Sequence, residues 1–138
     1  MGNAIVRTLS IAGNAVTVPA AQTLTNRIGG NGAFQNANSI NYTLPFAATV
    51  VVTWFGSQGY LVLSNQALGI RLRVNGNTIW SRVTGDPQGS AGLMTDWLSM
   101  GWSLNLGAGS HLIQVDWWGG DSNVGVASRT LLVQGAMR

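Results

Sequence analysis

The 138-residue sequence contains no Cys, no Lys and no Glu, and a single His. Without Cys there is no disulfide framework, no thiolate nucleophile and no Cys-based zinc site. Charged residues make up 8% of the chain, against about 25% in an average soluble domain. They consist of seven Arg and four Asp, for a net charge of +3. The Arg residues are scattered, and only Arg71 and Arg73 stand close together. Nucleic-acid binding needs a clustered basic stripe, so none is expected. No apolar run approaches the roughly 18 residues of a membrane-spanning helix, and no membrane partner is expected. The N-terminus does not read as a signal peptide, because Arg7, Ser10, Gly13 and Asn14 interrupt every apolar stretch. Helix signals are nearly absent, since Glu and Lys are missing and Gly recurs.

What is present is apolar and aromatic. The apolar fraction is 46%, with nineteen Gly and six Trp, and the mean hydropathy is +0.21. Ser, Thr, Asn, Gln and Gly fill the place that ions usually hold. Such a chain cannot cover its whole exterior with solvated ions. Some apolar surface must enter a core or lie against another protein. The length suits a single domain with its own core.

The pattern predicts an all-β, antiparallel, jelly-roll-like β-sandwich of about eight strands preceded by an extended N-terminal arm. Residues 1–37 are the least regular and are read as an arm or wrapping segment, with residues 38–138 as the sandwich domain. From Ser39 the pattern sharpens, and Ile40, Tyr42 and Leu44 alternate with polar neighbours. Thr49 to Phe55 is a continuous β-branched and aromatic run, expected to be a strand covered on both faces. Gly56 to Gly59 is expected to turn into a short strand at Tyr60 to Leu63. Leu68 to Val74 places Ile70, Leu72 and Val74 on one face and Arg71 and Arg73 on the other. Asn75-Gly76 is a hairpin signal. An unbroken return strand puts Trp80 on the arginine face and Ile79 with Leu72 and Val74. His111 to Trp118 places Ile113, Val115 and Trp117 opposite Leu112, Gln114, Asp116 and Trp118. Ser128 to Gln134 is the closing strand.

Catalytic vocabulary is sparse. His111 lies five residues before Asp116, which points the two to opposite faces of one strand, and no Gly-x-Ser-x-Gly elbow surrounds Ser110. Asp86 with Asp96 is the one pair that a loop could bring together, but Asp86-Pro87 reads more simply as a turn initiator. Asp121, Ser122 and Asn123 are the best local oxygen cluster for calcium, and they are too few to specify it. No catalytic residue, metal ligand or cofactor-binding residue is therefore assigned, and the expectation is a protein that is not an enzyme. Tryptophan carries more information. Trp117 and Trp118 must face opposite ways, so one can be core while the other meets solvent, a subunit or a ligand. Trp80 beside Arg71 or Arg73 suggests a cation–π contact. Trp and Arg are the usual anchors of protein interfaces, where Lys and Glu are depleted. Exposed Trp near Asn, Gln and Asp also suits a sugar-binding surface.

Three stretches carry a resemblance. They are Asn41-Tyr42-Thr43-Leu44-Pro45 running into Thr49–Phe55, Ile70 to Asn77 through Asn75-Gly76, and Leu106 to Val115 with the closing Arg129–Gln134 strand. Together, over residues 39–135, they resemble small jelly-roll domains of bacteriophage virions, and their cadence is similar to the C1q/TNF-like sandwich. The resemblance implies a capsid decoration (cement) protein, or alternatively a receptor- or glycan-binding tip of a tail fibre. It also implies a homotrimer, the major capsid protein as partner, a host surface glycan in the alternative, and a place in the virion. Interface candidates are Arg71, Arg73, Trp80, Trp118 and Leu132 for subunit packing, with Ile5, Val6 and Arg7 in the arm.

Overall fold

The computed structural model describes residues 18–61, 68–84 and 93–136, with side chains described throughout except at 58–61, 84, 93–98 and 136. The strands are β1 (Ala20–Leu24), β2 (Ile28–Gly29), β3 (Phe34–Leu44), β4 (Ala48–Leu61), β5 (Leu68–Val74), β6 (Asn77–Thr84), β7 (Leu93–Leu106), β8 (Gly109–Gly119) and β9 (Gly125–Ala136). They form two antiparallel sheets. Sheet A has the order β1-β9-β4-β7 with β2 also against β9, and sheet B has the order β3-β8-β5-β6. Most successive strands change sheet; only β1–β2 and β5–β6 stay within one. This is a jelly-roll β-sandwich. No helix among the described residues is long and apolar enough to cross a membrane.

Period-two alternation builds the core. Val50, Val52 and Trp54 of β4 and Leu131 and Val133 of β9 point inward from sheet A, all fully buried. Leu72, Ile113, Val115 and Trp117 meet them from sheet B. The expectation for Thr49 to Phe55 is corrected here. Val51 and Phe55 point away from the core and are each 41% exposed, so within one copy of the chain the strand is covered on one face only.

Two further expectations change. Gly56 to Gly59 is no turn, and β4 runs through it from Ala48 to Leu61, paired with both β7 and β9. A Cβ at Gly56 would stand 2.8 Å from the Trp54 ring, so this glycine makes room for an indole rather than a bend. In the β5–β6 hairpin, Asn75 and Gly76 both adopt positive φ (53° and 84°) and join Val74 to Asn77 directly. A β-bulge then leaves Ile79 unpaired and sets Trp80 opposite Leu72. That extra residue inverts the alternation. Trp80 therefore packs toward the core, and Ile79 is the exposed residue, at 39%.

The expected arm meets the sandwich at Ala20. Residues 1–17, with Ile5, Val6 and Arg7, lie outside the described residues. From Ala20 to Leu24 the chain pairs with β9 in register from Val133 to Arg129, and β3 already begins at Phe34. The polar character of this stretch has a physical cause: it is held by buried hydrogen bonds. A bulge at Ala37 turns both Ala37 and Asn38 into the interior. The Asn38 amide donates to the Gln22 carbonyl and to Gln22 Oε1, each at 3.1 Å. Asn38 Oδ1 accepts from Trp54 Nε1 at 2.8 Å. Buried Arg129 donates through Nε to the Ala37 carbonyl at 2.7 Å and through Nη1 to the Asn26 carbonyl. Burial pushes the Arg129 pKa down, but a guanidinium stays protonated even so. The backbone carbonyls thus replace a counter-ion.

Candidate functional site

His111 is committed to structure. Its Nε2 meets the Gly107 carbonyl at 2.7 Å and its Nδ1 meets the Asn75 amide at 3.0 Å. The Asn75 amide nitrogen donates and the Gly107 carbonyl accepts, a pattern that matches the tautomer with its N–H at Nε2. Asn75 also bonds Leu112 in both directions, at 2.9 Å each, so the ring clasps the hairpin turn to the β7–β8 turn. Asp121 accepts from the Asn123 amide at 2.9 Å as an Asx turn. Asp86 and the Asp96 side chain lie outside the described residues. Among the described residues no group of three or more His, Cys, Asp or Glu converges as a metal site would require.

The outer face of sheet B carries an ion cluster. β5 pairs with β8 so that Arg71 lies opposite Asp116 and Arg73 opposite Gln114. Both arginines converge on Asp116, which is only 1% exposed. Arg71 approaches Oδ2 with Nε at 2.8 Å and Nη2 at 2.7 Å. Arg73 is bidentate, Nε to Oδ2 at 2.6 Å and Nη2 to Oδ1 at 3.1 Å. Asn36 adds a donor to Oδ1 at 3.2 Å. Burial alone pushes the Asp116 carboxyl up, but the bonds from Arg73, Arg71 and Asn36 outweigh it and hold the pKa below the usual carboxylate value. The bond to Asp116 raises Arg73 in turn. The cation–π partner expected at Trp80 is instead Phe34, whose ring centroid lies 4.4 Å from the Arg71 guanidinium carbon. The bulge that turns Trp80 inward removes it from this face. Phe34 pairs with half-buried Trp118 across β3 and β8, and only that register could have shown it.

A cleft of about 360 Å³ opens where the edge strands β6 and β7 face each other across the sandwich. Trp80 of sheet B and Trp102 of sheet A meet there, ring centroids 5.9 Å apart and planes tilted by 30°. Ile70, Met100 and Arg82 also line it. Trp102 lies opposite inward-facing Val52, and its edge position leaves it 37% exposed.

The outer face of sheet A is different again. Thr49, Val51, Thr53, Phe55 and Ser57 of β4 lie there with Thr130, Leu132 and Gln134 of β9. Ala21 and Thr23 of β1 and Ser99, Gly101, Ser103 and Asn105 of β7 complete it. No described side chain on this face is charged. The interface candidates therefore do not form one patch. Arg71, Arg73 and Trp118 share the outer face of sheet B, Leu132 lies on the opposite face of the molecule, and Trp80 is at the edge between them. Val51, Phe55 and Trp102 were missed. The register of β4 with its neighbours was the signal that could have found them.

No family model and no curated protein matches the sequence. Among solved structures, the chain is similar to the Eiger TNF of S. frugiperda at 13% identity and a TM-score of 0.52, over 88% of this chain and 94% of that one. It is also similar to the globular domain of zebrafish complement 1qA (10% identity, TM-score 0.48, 82% and 94% covered). The VP2 subviral particle of infectious bursal disease virus is a further match, at 16% identity and a TM-score of 0.42, over 86% of this chain and 33% of that chain. The first of these shows the fold: a TNF/C1q-like jelly roll.

Proposed function

We propose that this chain is a non-enzymatic virion structural protein, a homotrimeric decoration protein that binds the major capsid protein of a phage shell assembled in the bacterial host cytoplasm. The observation that carries the self-association is the ion-free outer face of sheet A, where Val51 and Phe55 are each 41% exposed. Covering such a face strands no charge, whereas covering the other sheet would bury Arg71 and Arg73. The occupant of this face is a second copy of the chain. The virion setting is supported by the likeness of residues 39–135 to phage jelly-roll proteins. In that setting three linked copies would hold a shell by effective concentration.

Light scattering after size exclusion tests the trimer, using wild type and Phe55→Arg. The expected result is a trimer that the substitution converts to monomer. A wild-type monomer at tens of micromolar would overturn the reading. Removing residues 1–17 tests the arm with Ile5, Val6 and Arg7, and capsid binding is expected to fall. A second reading, a glycan-binding tip, is favoured by the Trp80–Trp102 cleft. It requires indole fluorescence that responds to host polysaccharide and is lost in Trp102→Ala.

A further inference from the structure

We infer that the Arg71–Arg73 pair on the outer face of sheet B is an oxyanion site that takes an acidic sugar, a pyranose bearing a carboxylate, sulfate or phosphate. Asp116 is saturated and sealed, since Oδ2 accepts from Nε of Arg71 and of Arg73, Oδ1 accepts from Arg73 Nη2 and Asn36, and Arg71 Nη2 adds an ion-pair contact to Oδ2. It has no lone pair left for a cation and no opening to solvent. One arginine would neutralise it, and the pair therefore leaves a surplus of one positive charge on this face. A guanidinium carries five N–H donors. Only Nε and Nη2 of each arginine face Asp116, and both Nη1 groups are without a partner among the described residues. The two side chains remain 28% and 25% exposed.

The neighbours in register are neutral. Ser81 lies beside Arg71, while Gln114 and Thr78 lie beside Arg73. Asp116 is the one carboxylate among the register partners of the two arginines. The geometry is also fixed before any ligand arrives. Asp116 pins each guanidinium by Nε, and Phe34 supports the Arg71 plane from below. Little side-chain freedom remains to be lost on binding, and two adjacent guanidinium forks suit a planar or tetrahedral oxyanion. The sugar part of the assignment comes from the same face. Trp118 is half-buried next to Gly69, where a Cβ would come within 3.1 Å of the Trp118 Cβ. An indole and a phenyl ring thus border the guanidinium pair, with the amides of Asn36 and Gln114 close by in register. This deepens the glycan reading but uses a different surface from the Trp80–Trp102 cleft, and it is independent of self-association through sheet A.

The test is a titration of the full ¹⁵N-labelled chain by NMR, following the Nε–H signals of Arg71 and Arg73 and the Trp118 indole N–H. The probes are sodium glucuronate, glucose and inorganic sulfate. Glucuronate is expected to shift all three signals saturably, with a Kd of order 1 mM, and to weaken as NaCl is added. Glucose at the same concentration is expected to leave the arginines unmoved. Arg73→Gln is expected to weaken glucuronate binding by at least about tenfold. Trp118→Ala provides an arm that leaves the ion cluster intact, and should weaken glucuronate while sparing sulfate. Sulfate matching glucuronate with Trp118 unmoved would overturn the sugar assignment and identify a free-anion site. No saturable arginine shift with either anion would overturn the site altogether. Loss of the cleft's fluorescence response alone would count against the cleft and not against this face.

Discussion

Asn38→Ala puts the buried polar junction to a quantitative test. Asn38 is fully buried and joins three strands. Its Oδ1 accepts from Trp54 Nε1 at 2.8 Å, and its Nδ2 donates to the Gln22 carbonyl at 3.1 Å. Truncation to Ala leaves both of those groups without a partner, while Gln22 Oε1 keeps the Ser39 amide at 3.0 Å. An orphaned buried donor or acceptor costs about 1–3 kcal/mol. Trp54 is fully buried and belongs in the upper part of that range, and half-buried Gln22 in the lower part. The sum is about 3 kcal/mol, which lowers a urea midpoint by about 1–3 M for a domain of this size. A double-mutant cycle with Trp54→Phe isolates the bond, since the two changes remove the same contact. Asn38→Ala should cost about 1–2 kcal/mol less in the Trp54→Phe background than in wild type. A single-mutant cost under about 1 kcal/mol, or additivity within about 0.5 kcal/mol, would refute the argument that this bond secures the junction.

Two other measurements bear on the fold. Asp116 has its pKa lowered in the folded state, so its stabilisation is present above the ordinary value of 3.8 and is lost as pH falls through the lower folded value. Asp116→Asn should cost about 2 kcal/mol at neutral pH, less than a wholly sealed pair because both guanidiniums stay partly solvated. Urea unfolding between about pH 6 and pH 2 should then show a flatter acid limb in the variant than in wild type; parallel limbs would remove Asp116 as the titrating group. Gly119→Ala places a methyl 2.3 Å from the buried Trp117 indole, and circular dichroism melts should show a loss of about 3 kcal/mol. An unchanged melt would mean that the ring moves freely.

The strands with clean alternation were legible. Leu68 to Val74 and His111 to Trp118 carry the sheet B core, and Trp117 and Trp118 divide between the two faces as their adjacency demands. Three places were not legible, each for a local reason. A single bulged residue, Ile79, inverts the alternation after a correctly read turn, and nothing in its side chain announces it. Gly56 looks like a turn residue but serves as clearance for Trp54. β1 is five residues long with Leu24 as its one bulky apolar side chain, and its stability comes from Asn38 and from β9, which lies over a hundred residues away. The site was readable in part. Alternation put Arg71 and Arg73 on one face, but their meeting with Asp116 depends on β5 lying beside β8, and no local pattern reveals that pairing.

In sheet A, β9 lies between β1 and β4 although it is the last of the described strands in sequence. While the ribosome is still short of Gly125, β1 has no strand to pair with and β4 presents one bare hydrogen-bonding margin. A nascent chain at that stage is prone to sticking to others of its kind. Closure of sheet A waits for β9 to pair with both β1 and β4, so this topology belongs with the slow, millisecond-to-second folders. Loss of β9 would open the middle of the sheet rather than trim its rim.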